Sequence, residues 1–418
     1  MKRYSEYKDS GVKWIGEIPK HWKKMRYKDI FEILDEKVGA IKNLTLLSLT
    51  KKGVIVRDLS EGKGKFPKDF ESYKIVHPNN LILCLFDVDE TPRTVGVSNT
   101  EGMITGAYDI FSVKNALLDY VYYLYISFDD KKCLKPLYKG LRKVIPLPVL
   151  LSSYIYLPLG QEQQAIVAYL NNKVSKIDKY ISTAEKKIAA LDELKQVTIA
   201  DAVTHGINPN APMKDSEIPW IGMVPEHWTR ARYKDILNIE DEKVGKRNDL
   251  TLLSLTKRGV LIRDLSEGKG KFPKDYESYK VVNPNNIILC LFDVDETPRT
   301  VGISHNKGMI TGAYDIFEIR NVKLEYIYYL YLSIDDKKGF KSLYKGLRKV
   351  IPLPSLLSAY INLPPISEQN KIVAYIDRKV AQIDKMKAAE LAQIDKLKEY
   401  KQRLISDVVT GKVKVTNE

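Results

Sequence analysis

Cysteine is scarce in this chain, with Cys84, Cys133 and Cys290 the only three in 418 residues. That excludes a disulfide framework. Cys84 and Cys290 lie in apolar runs and read as small buried hydrophobes, which fits a reducing compartment. Long apolar runs are missing as well. The longest candidate, residues 116–128, is too short to span a bilayer and is broken by Asp119. The first residues, Met1-Lys2-Arg3-Tyr4-Ser5-Glu6, lead into polar sequence without an apolar signal core. We therefore expect a cytoplasmic protein with no membrane partner. No G-x-x-x-x-G-K-[ST] phosphate loop is present, so ATP hydrolysis is not expected. Gly62 and Gly64 lack the third glycine and the strand–helix context of a dinucleotide site. The five histidines, His21, His77, His205, His227 and His305, form no metal-ligand spacing with the cysteines. His21 and His227 are expected to pack beside the tryptophans that follow them. Asp35-Glu36-Lys37 and Asp241-Glu242-Lys243 match only the tail of a nuclease carboxylate–lysine pattern, too little to assign cleavage.

Positive charge is abundant. Sixty-seven Lys and Arg against 53 Asp and Glu leave a formal net charge of +14 and a pI of about 9.2. A surplus of that size favours a polyanionic partner. Hydrophobic content of 44% and charged content of 29% are ordinary for a globular protein, and the length allows two or more cores.

The dominant feature is an internal repeat. Trp14-Ile15-Gly16 returns as Trp220-Ile221-Gly222, a shift of 220 − 14 = 206 residues. The same shift carries His21-Trp22 onto His227-Trp228, Glu162-Gln163 onto Glu368-Gln369, and Val203-Thr204 onto Val409-Thr410, with no insertion or deletion. Residues 57–69, 85–96, 102–111 and 137–148 recur letter for letter. A period this long is a duplicated domain-plus-helix, not a solenoid repeat.

Each copy has two parts. The first, ending near Pro158 or Pro364, holds short β-branched and aromatic runs such as Leu81-Ile82-Leu83-Cys84-Leu85-Phe86, bounded by turn clusters such as Pro78-Asn79-Asn80. The run Tyr120-Val121-Tyr122-Tyr123-Leu124-Tyr125 reads as helix or strand and as core rather than a base-stacking platform. The second part is a long helix. Proline in Leu157-Pro158 and Leu363-Pro364-Pro365 breaks what precedes it, and Ser367 is expected to be an N-cap with Glu368 in the first turn. From Leu170 the apolar positions Val174, Ile177, Ile181, Ala184, Ile188 and Leu191 alternate at steps of four and three, a coiled-coil seam. The corresponding seam in the second helix is placed on Ile376, Val380, Ile383, Ile394 and Leu397. There Ala381-Gln382-Ile383-Asp384-Lys385 recurs eleven residues later, a step that favours a straight or slightly right-handed path. Forty-odd residues make a rod of roughly 65 Å. Two such rods, each too long for a small domain to cover, favour pairing with each other.

These residues carry a family resemblance. Trp14-Ile15-Gly16-Glu17-Ile18-Pro19-Lys20-His21-Trp22, with its copy at 220–228, resembles the opening of type I restriction–modification specificity subunits. Leu363-Pro364-Pro365-Ile366-Ser367-Glu368-Gln369 followed by Ile372-Val373 resembles the boundary between target-recognition domain and conserved helix in that family, and Val409-Thr410-Gly411-Lys412 the end of that helix. The first copy departs at the boundary, with Leu159-Gly160-Gln161. The resemblance covers essentially the whole chain. It implies two α/β (α+β) target-recognition domains separated by a pair of long antiparallel coiled-coil helices with pseudo-two-fold symmetry. The boundaries are recognition domain 1 at 1–158, spacer helix 1 at 159–206, a linker at 207–218, recognition domain 2 at 219–364 and spacer helix 2 at 365–418.

It further implies a non-catalytic subunit that reads a split site in double-stranded DNA. Two methyltransferase subunits dock on it and restriction–translocase subunits join them. AdoMet, ATP and magnesium are then expected only on those partners. Consistent with this, neither copy contains the Asn/Asp-Pro-Pro-aromatic motif of adenine methyltransferases. A stand-alone DNA-binding regulator and a non-specific coiled-coil scaffold are the rival readings.

Lys and Arg supply affinity for phosphate, side chains at base edges supply specificity, and glycine lets a backbone approach closely. On those grounds the DNA-contacting candidates are Lys63 and Lys65 with Lys269 and Lys271, in Gly-Lys-Gly-Lys loops. The Lys-Gly-Leu-Arg-Lys loops add Lys139, Arg142 and Lys143 with Lys345, Arg348 and Lys349. Arg93 and Thr94, with Arg299 and Thr300, are candidates to read a guanine edge. The alternative for each loop is a solvated turn carrying lysines. For the two arginines it is pairing with Asp87, Asp89 or Glu90 and their counterparts.

Overall fold

Burial alternates along the short strands. Leu81 and Leu83 belong to one core and Ile82 to another, and Phe111 and Ile110 divide in the same way. A strand apolar on both sides needs cover on both faces of its sheet. The computed structural model describes residues 2–12, 15–39, 44–57, 70–88, 90–91, 93–140, 143–247, 249–263, 276–294, 296–297 and 299–415.

In the first repeat, Phe31–Leu34, Asp109–Val113, Leu81–Leu83 and Val95–Val97 form an antiparallel four-stranded sheet in that order. The helix Leu118–Asp130 covers one face with Tyr120, Val121, Leu124, Tyr125 and Phe128. The tyrosine-rich run, ambiguous by period alone, is therefore helical and largely core. The other face is covered by Leu47, Val76 and Ile104, from the hairpin Leu47–Thr50/Gly53–Val56 and the strand pair Lys74–Val76/Gly102–Ile104. The second repeat rebuilds the same order with Leu237–Glu240, Asp315–Ile319, Ile287–Leu289 and Val301–Ile303, beneath the helix Leu324–Lys337. Cys84, Cys133 and Cys290 are buried and unpaired.

Two long helices follow the two domains, Gly160–His205 and Ile366–Val409. The chain divides into two compact units, residues 1–184 with 391–418, and residues 185–390. Each unit thus takes the start of one long helix and the end of the other. In the first unit Ile166, Leu170 and Ile177 share a core with Leu404, Ile405, Val408 and Val409. In the second, Ile372, Val373 and Ile376 share one with Ile199, Ala202 and Val203. Leu191, Ile383 and Ile394 are also buried, and Val174, Ile181, Ile188, Val380 and Leu397 are half-buried.

Two local expectations are corrected. The stretch 207–218, read as linker because of its prolines, contains the strand Met213–Asp215, which pairs with Met223–Pro225 just as Tyr7–Asp9 pairs with Glu17–Pro19. The residues on either side of it, 207–212 and 216–218, are loop. Ser367 is not the N-cap, since the helix already begins at Ile366 and Ser367 lies within its first turn. The first bonds of the helix, from the N–H groups of Glu368 and Gln369, go to the Pro365 carbonyl.

Candidate nucleic-acid interface

Each domain is fastened to its long helix by a carboxylate. Glu162, in the first turn of the first long helix, accepts from Trp22 Nε1 at 3.3 Å and Tyr4 OH at 2.6 Å, and its other oxygen lies 2.8 Å from His21 Nε2. Glu368 repeats this with Trp228 Nε1 at 3.3 Å and His227 Nε2 at 2.6 Å. A carboxylate in the first turn is also favoured by the positive end of the helix dipole. His21 and His227 thus do more than pack beside tryptophan. They share that residue's acceptor. The neighbouring glutamines finish the joint. Gln163 accepts the Leu117 N–H and donates to the Pro158 carbonyl, and Gln369 does the same with Lys323 and Pro364. The sequence pairs His-Trp and Glu-Gln, some 140 residues apart, are two sides of one clamp.

The far helix ends dock as well. Tyr120 OH donates to the Val409 carbonyl at 3.0 Å, and Tyr326 OH to the Val203 carbonyl at 3.0 Å. Both helices stop with a glycine at positive φ, Gly206 at 76° and Gly411 at 74°. A Cβ on Gly411 would lie 2.3 Å from Pro19 Cδ, so nothing larger fits there without displacing the hairpin that carries Trp22.

Replacing Glu368 with alanine is expected to lower the unfolding free energy of the second unit by about 2 kcal/mol, because the buried Trp228 indole loses its charged acceptor. A urea titration followed by tryptophan fluorescence reads this directly. An unchanged midpoint would contradict the clamp.

The helix segments within each unit are joined by ion pairs. In the second unit Asp192 pairs with Lys387 and Lys195 with Asp384, so that one partner advances three residues as the other retreats three. That is an antiparallel register. In the first unit Asp178 pairs with Lys401. Under the 206-residue shift Asp178 becomes Asp384 and Lys401 corresponds to Lys195. The same pair therefore occurs in both units with its partners exchanged between helices.

Basic groups project from the domains on short hairpins. Lys345 and Val350 exchange backbone hydrogen bonds of 2.8 and 3.0 Å, and Lys349 N–H donates to the Gly346 carbonyl at 3.1 Å. Gly346 has φ of 69° and Lys349 of 45°, so the tight turn uses two left-handed residues. Lys345, Leu347, Arg348 and Lys349 are all exposed. Arg348 also anchors the hairpin. Its Nε donates to Asp293 Oδ1 at 3.1 Å, its carbonyl accepts the Asp293 N–H, and the guanidinium holds the Asp293 carboxyl below the usual carboxylate range. In the first repeat Lys139 and Val144 make the same exchange, and Lys143 N–H donates to Gly140. Arg142 lies outside the described residues, as do Lys63, Lys65, Lys269 and Lys271.

Arg93 and Arg299 are engaged inside the fold. Arg93 Nη1 donates to Asp129 Oδ2 at 3.2 Å and Asp130 Oδ1 at 3.0 Å. Arg299 meets Asp335 and Asp336 at 3.2 and 3.3 Å. The acceptors sit at the end of the domain helix, not in the acidic turn beside each arginine. Burial pushes the Asp130 and Asp336 carboxyls up, and the guanidiniums oppose that shift. Thr94 is buried and its N–H also goes to Asp129, while Thr300 N–H goes to Asp335. A reading role for these four residues would require the network to open, which corrects the expectation of a presented guanidinium.

A further basic strip was not singled out from the sequence. Lys24 lies 4.2 Å and Arg26 5.5 Å from the ring centroid of the exposed Tyr154. Arg230 and Arg232 lie 3.9 and 5.2 Å from that of Tyr360. The signal was present: cations two residues apart on a strand share a face, and their partner strand begins with tyrosine.

Among the described residues no helix is long and apolar enough to cross a membrane, and no group of three or more His, Cys, Asp or Glu is placed to hold a metal.

No family model matches the chain. Among curated proteins it is 25% identical over 442 residues to the type I restriction enzyme MjaVIII specificity subunit of Methanocaldococcus jannaschii, covering 98% of both chains. It is 23% identical over 456 residues to the putative type I restriction enzyme MjaX specificity subunit of the same organism, again over 98% of both. Among solved structures, the fold is similar to a chain from a type I R-M system studied for complex assembly and conformational transition, with a TM-score of 0.66, 14% identity, and 94% and 98% of the two chains covered. It also aligns with the HsdS subunit from Thermoanaerobacter tengcongensis at a TM-score of 0.50 and 15% identity, over 95% and 98%.

Proposed function

We propose that this chain, homologous over nearly its whole length to type I restriction enzyme specificity subunits, reads a split site in double-stranded DNA and carries no bond-making chemistry of its own. In this reading the two domains are the readers and the long helices set the gap between half-sites. Two methyltransferase subunits dock along the helices, and restriction–translocase subunits join that core. AdoMet, ATP and magnesium belong to those partners. The methyltransferases take an adenine out of the stack in each half-site, and this chain places them.

The single observation that carries the reading is the exchange of contacts under the repeat. Asp178–Lys401 returns as Lys195–Asp384, and Tyr120–Val409 returns as Tyr326–Val203. One module and one helix joint are thus used twice, with their partners exchanged. Matching readers related in that way favour matching half-sites in inverted order, as dimeric repressors do. The exposed Lys139, Lys345 and Lys349 of the 139–144 and 345–350 hairpins support contact with the phosphate backbone.

The test is a salt-titrated comparison of duplexes, made with the full chain and the methyltransferase that co-purifies with it. A preference for one sequence that persists across the titration is expected. Equal affinity for all duplexes would identify a non-specific scaffold. Sequence preference without any methyltransferase in the purified material would identify a stand-alone regulator.

A further inference from the structure

We propose that Leu347 is a wedge that enters between adjacent base pairs of bound duplex DNA and kinks it. The proposal rests on the DNA-reading role above and adds a specific mode of contact.

Leu347 is fully exposed. A lone exposed leucine means little, but its placement is informative. It sits at the tip of a turn closed by two backbone hydrogen bonds, between left-handed Gly346 and Lys349. The turn is tied down by Arg348, bonded to Asp293 through side chain and backbone and placed 5.6 Å from the Phe292 ring centroid. The backbone that carries Leu347 is therefore held in a braced frame, with the side chain exposed at its tip.

Its surroundings select the occupant. An anchor for a protein pocket is ordinarily ringed by contacts that exclude water. Leu347 is flanked instead by exposed Lys345, Arg348 and Lys349. An apolar tip ringed by cations matches a base step, where the stack is apolar and a phosphate lies on either side. Apolar side chains inserted at such steps unstack them and bend the duplex. Leu141 is its counterpart under the repeat and lies outside the described residues.

The experiment uses the full chain with its co-purifying methyltransferase and a 40-bp duplex recovered by selection from a randomised library, with donor and acceptor dyes on its ends. Leu347→Ala in a Leu141→Ala background is expected to bind about tenfold more weakly and to lose the bend read by energy transfer. Its salt slope should not change, because no cation is removed. Affinity and bend equal to those of the parent would overturn the wedge. So would a normal bend combined with loss of methyltransferase co-elution, which would make Leu347 a protein contact. The selection itself separates the two levels. A library that yields no preferred duplex fails the DNA-reading role, whereas a preferred duplex bound unbent by the parent fails the wedge alone.

Discussion

Replacing Lys139, Lys143, Lys345 and Lys349 together with alanine is expected to weaken binding to any duplex by about three orders of magnitude at 0.1 M salt. Each phosphate contact releases close to one counterion, so four contacts steepen the log–log salt dependence by roughly 0.9 per contact, or about 3.6 in all. The variant should therefore lose that much slope, and specific and non-specific duplexes should suffer alike, because phosphate contacts position without reading. Closure of the hairpins comes from backbone bonds between Lys139 and Val144 and between Lys345 and Val350, which alanine retains. A folded variant with a collapsed salt slope is the expected signature. A variant with the parent's slope would move the DNA contact to another surface, and the Tyr154 and Tyr360 strips with their stacked cations would be the next place to test.

Residues 1–212 alone are expected to form a tight homodimer. The first unit is built from residues 1–184 and 391–418, and the repeat maps 391–418 onto 185–212. Two half-chains can each donate 185–212 to the other and rebuild that unit twice. The exchanged residues keep most of the chemistry. Ile405, Val408 and Val409 become Ile199, Ala202 and Val203, and the Asp178–Lys401 pair becomes Asp178–Lys195. Two contacts are lost, since the buried Leu404 is replaced by Thr198 and the Lys131–Ser406 hydrogen bond has Ala200 at the serine position. Sedimentation should give a dimer at micromolar concentration, and Ile199→Asp should give a monomer by forcing a charge into the rebuilt core. A half-chain that stays monomeric at high concentration would mean that the shared core is too weak to act between chains.

Much of this architecture was legible in the amino-acid order because duplication exposes it. A shift of 206 residues needs no alignment, and alternating four- and three-residue steps from Leu170 mark a helix face before any coordinate is known. The clamp was half legible. His21-Trp22 and Glu162-Gln163 stood out as repeated words, but their meeting at one carboxylate depends on a hairpin folding back over 140 residues, which local pattern does not encode. The same limit explains Arg93. Beside an acidic turn it looked like a presented reader, yet its partners Asp129 and Asp130 come from the end of a helix 36 residues on. Proline misled at 207–218, where the break it marks is followed at once by the strand Met213–Asp215.

The central claim is that one reader occurs twice and that its helix joint exchanges partners under the repeat. Sequencing the duplexes that the full complex selects from a randomised library, together with the adenines its methyltransferase modifies in them, tests this most directly. The expected result is a split motif whose two halves are the same word on opposite strands, separated by a gap of constant length. Two unrelated half-words, or a gap that varies freely among the selected duplexes, would contradict it.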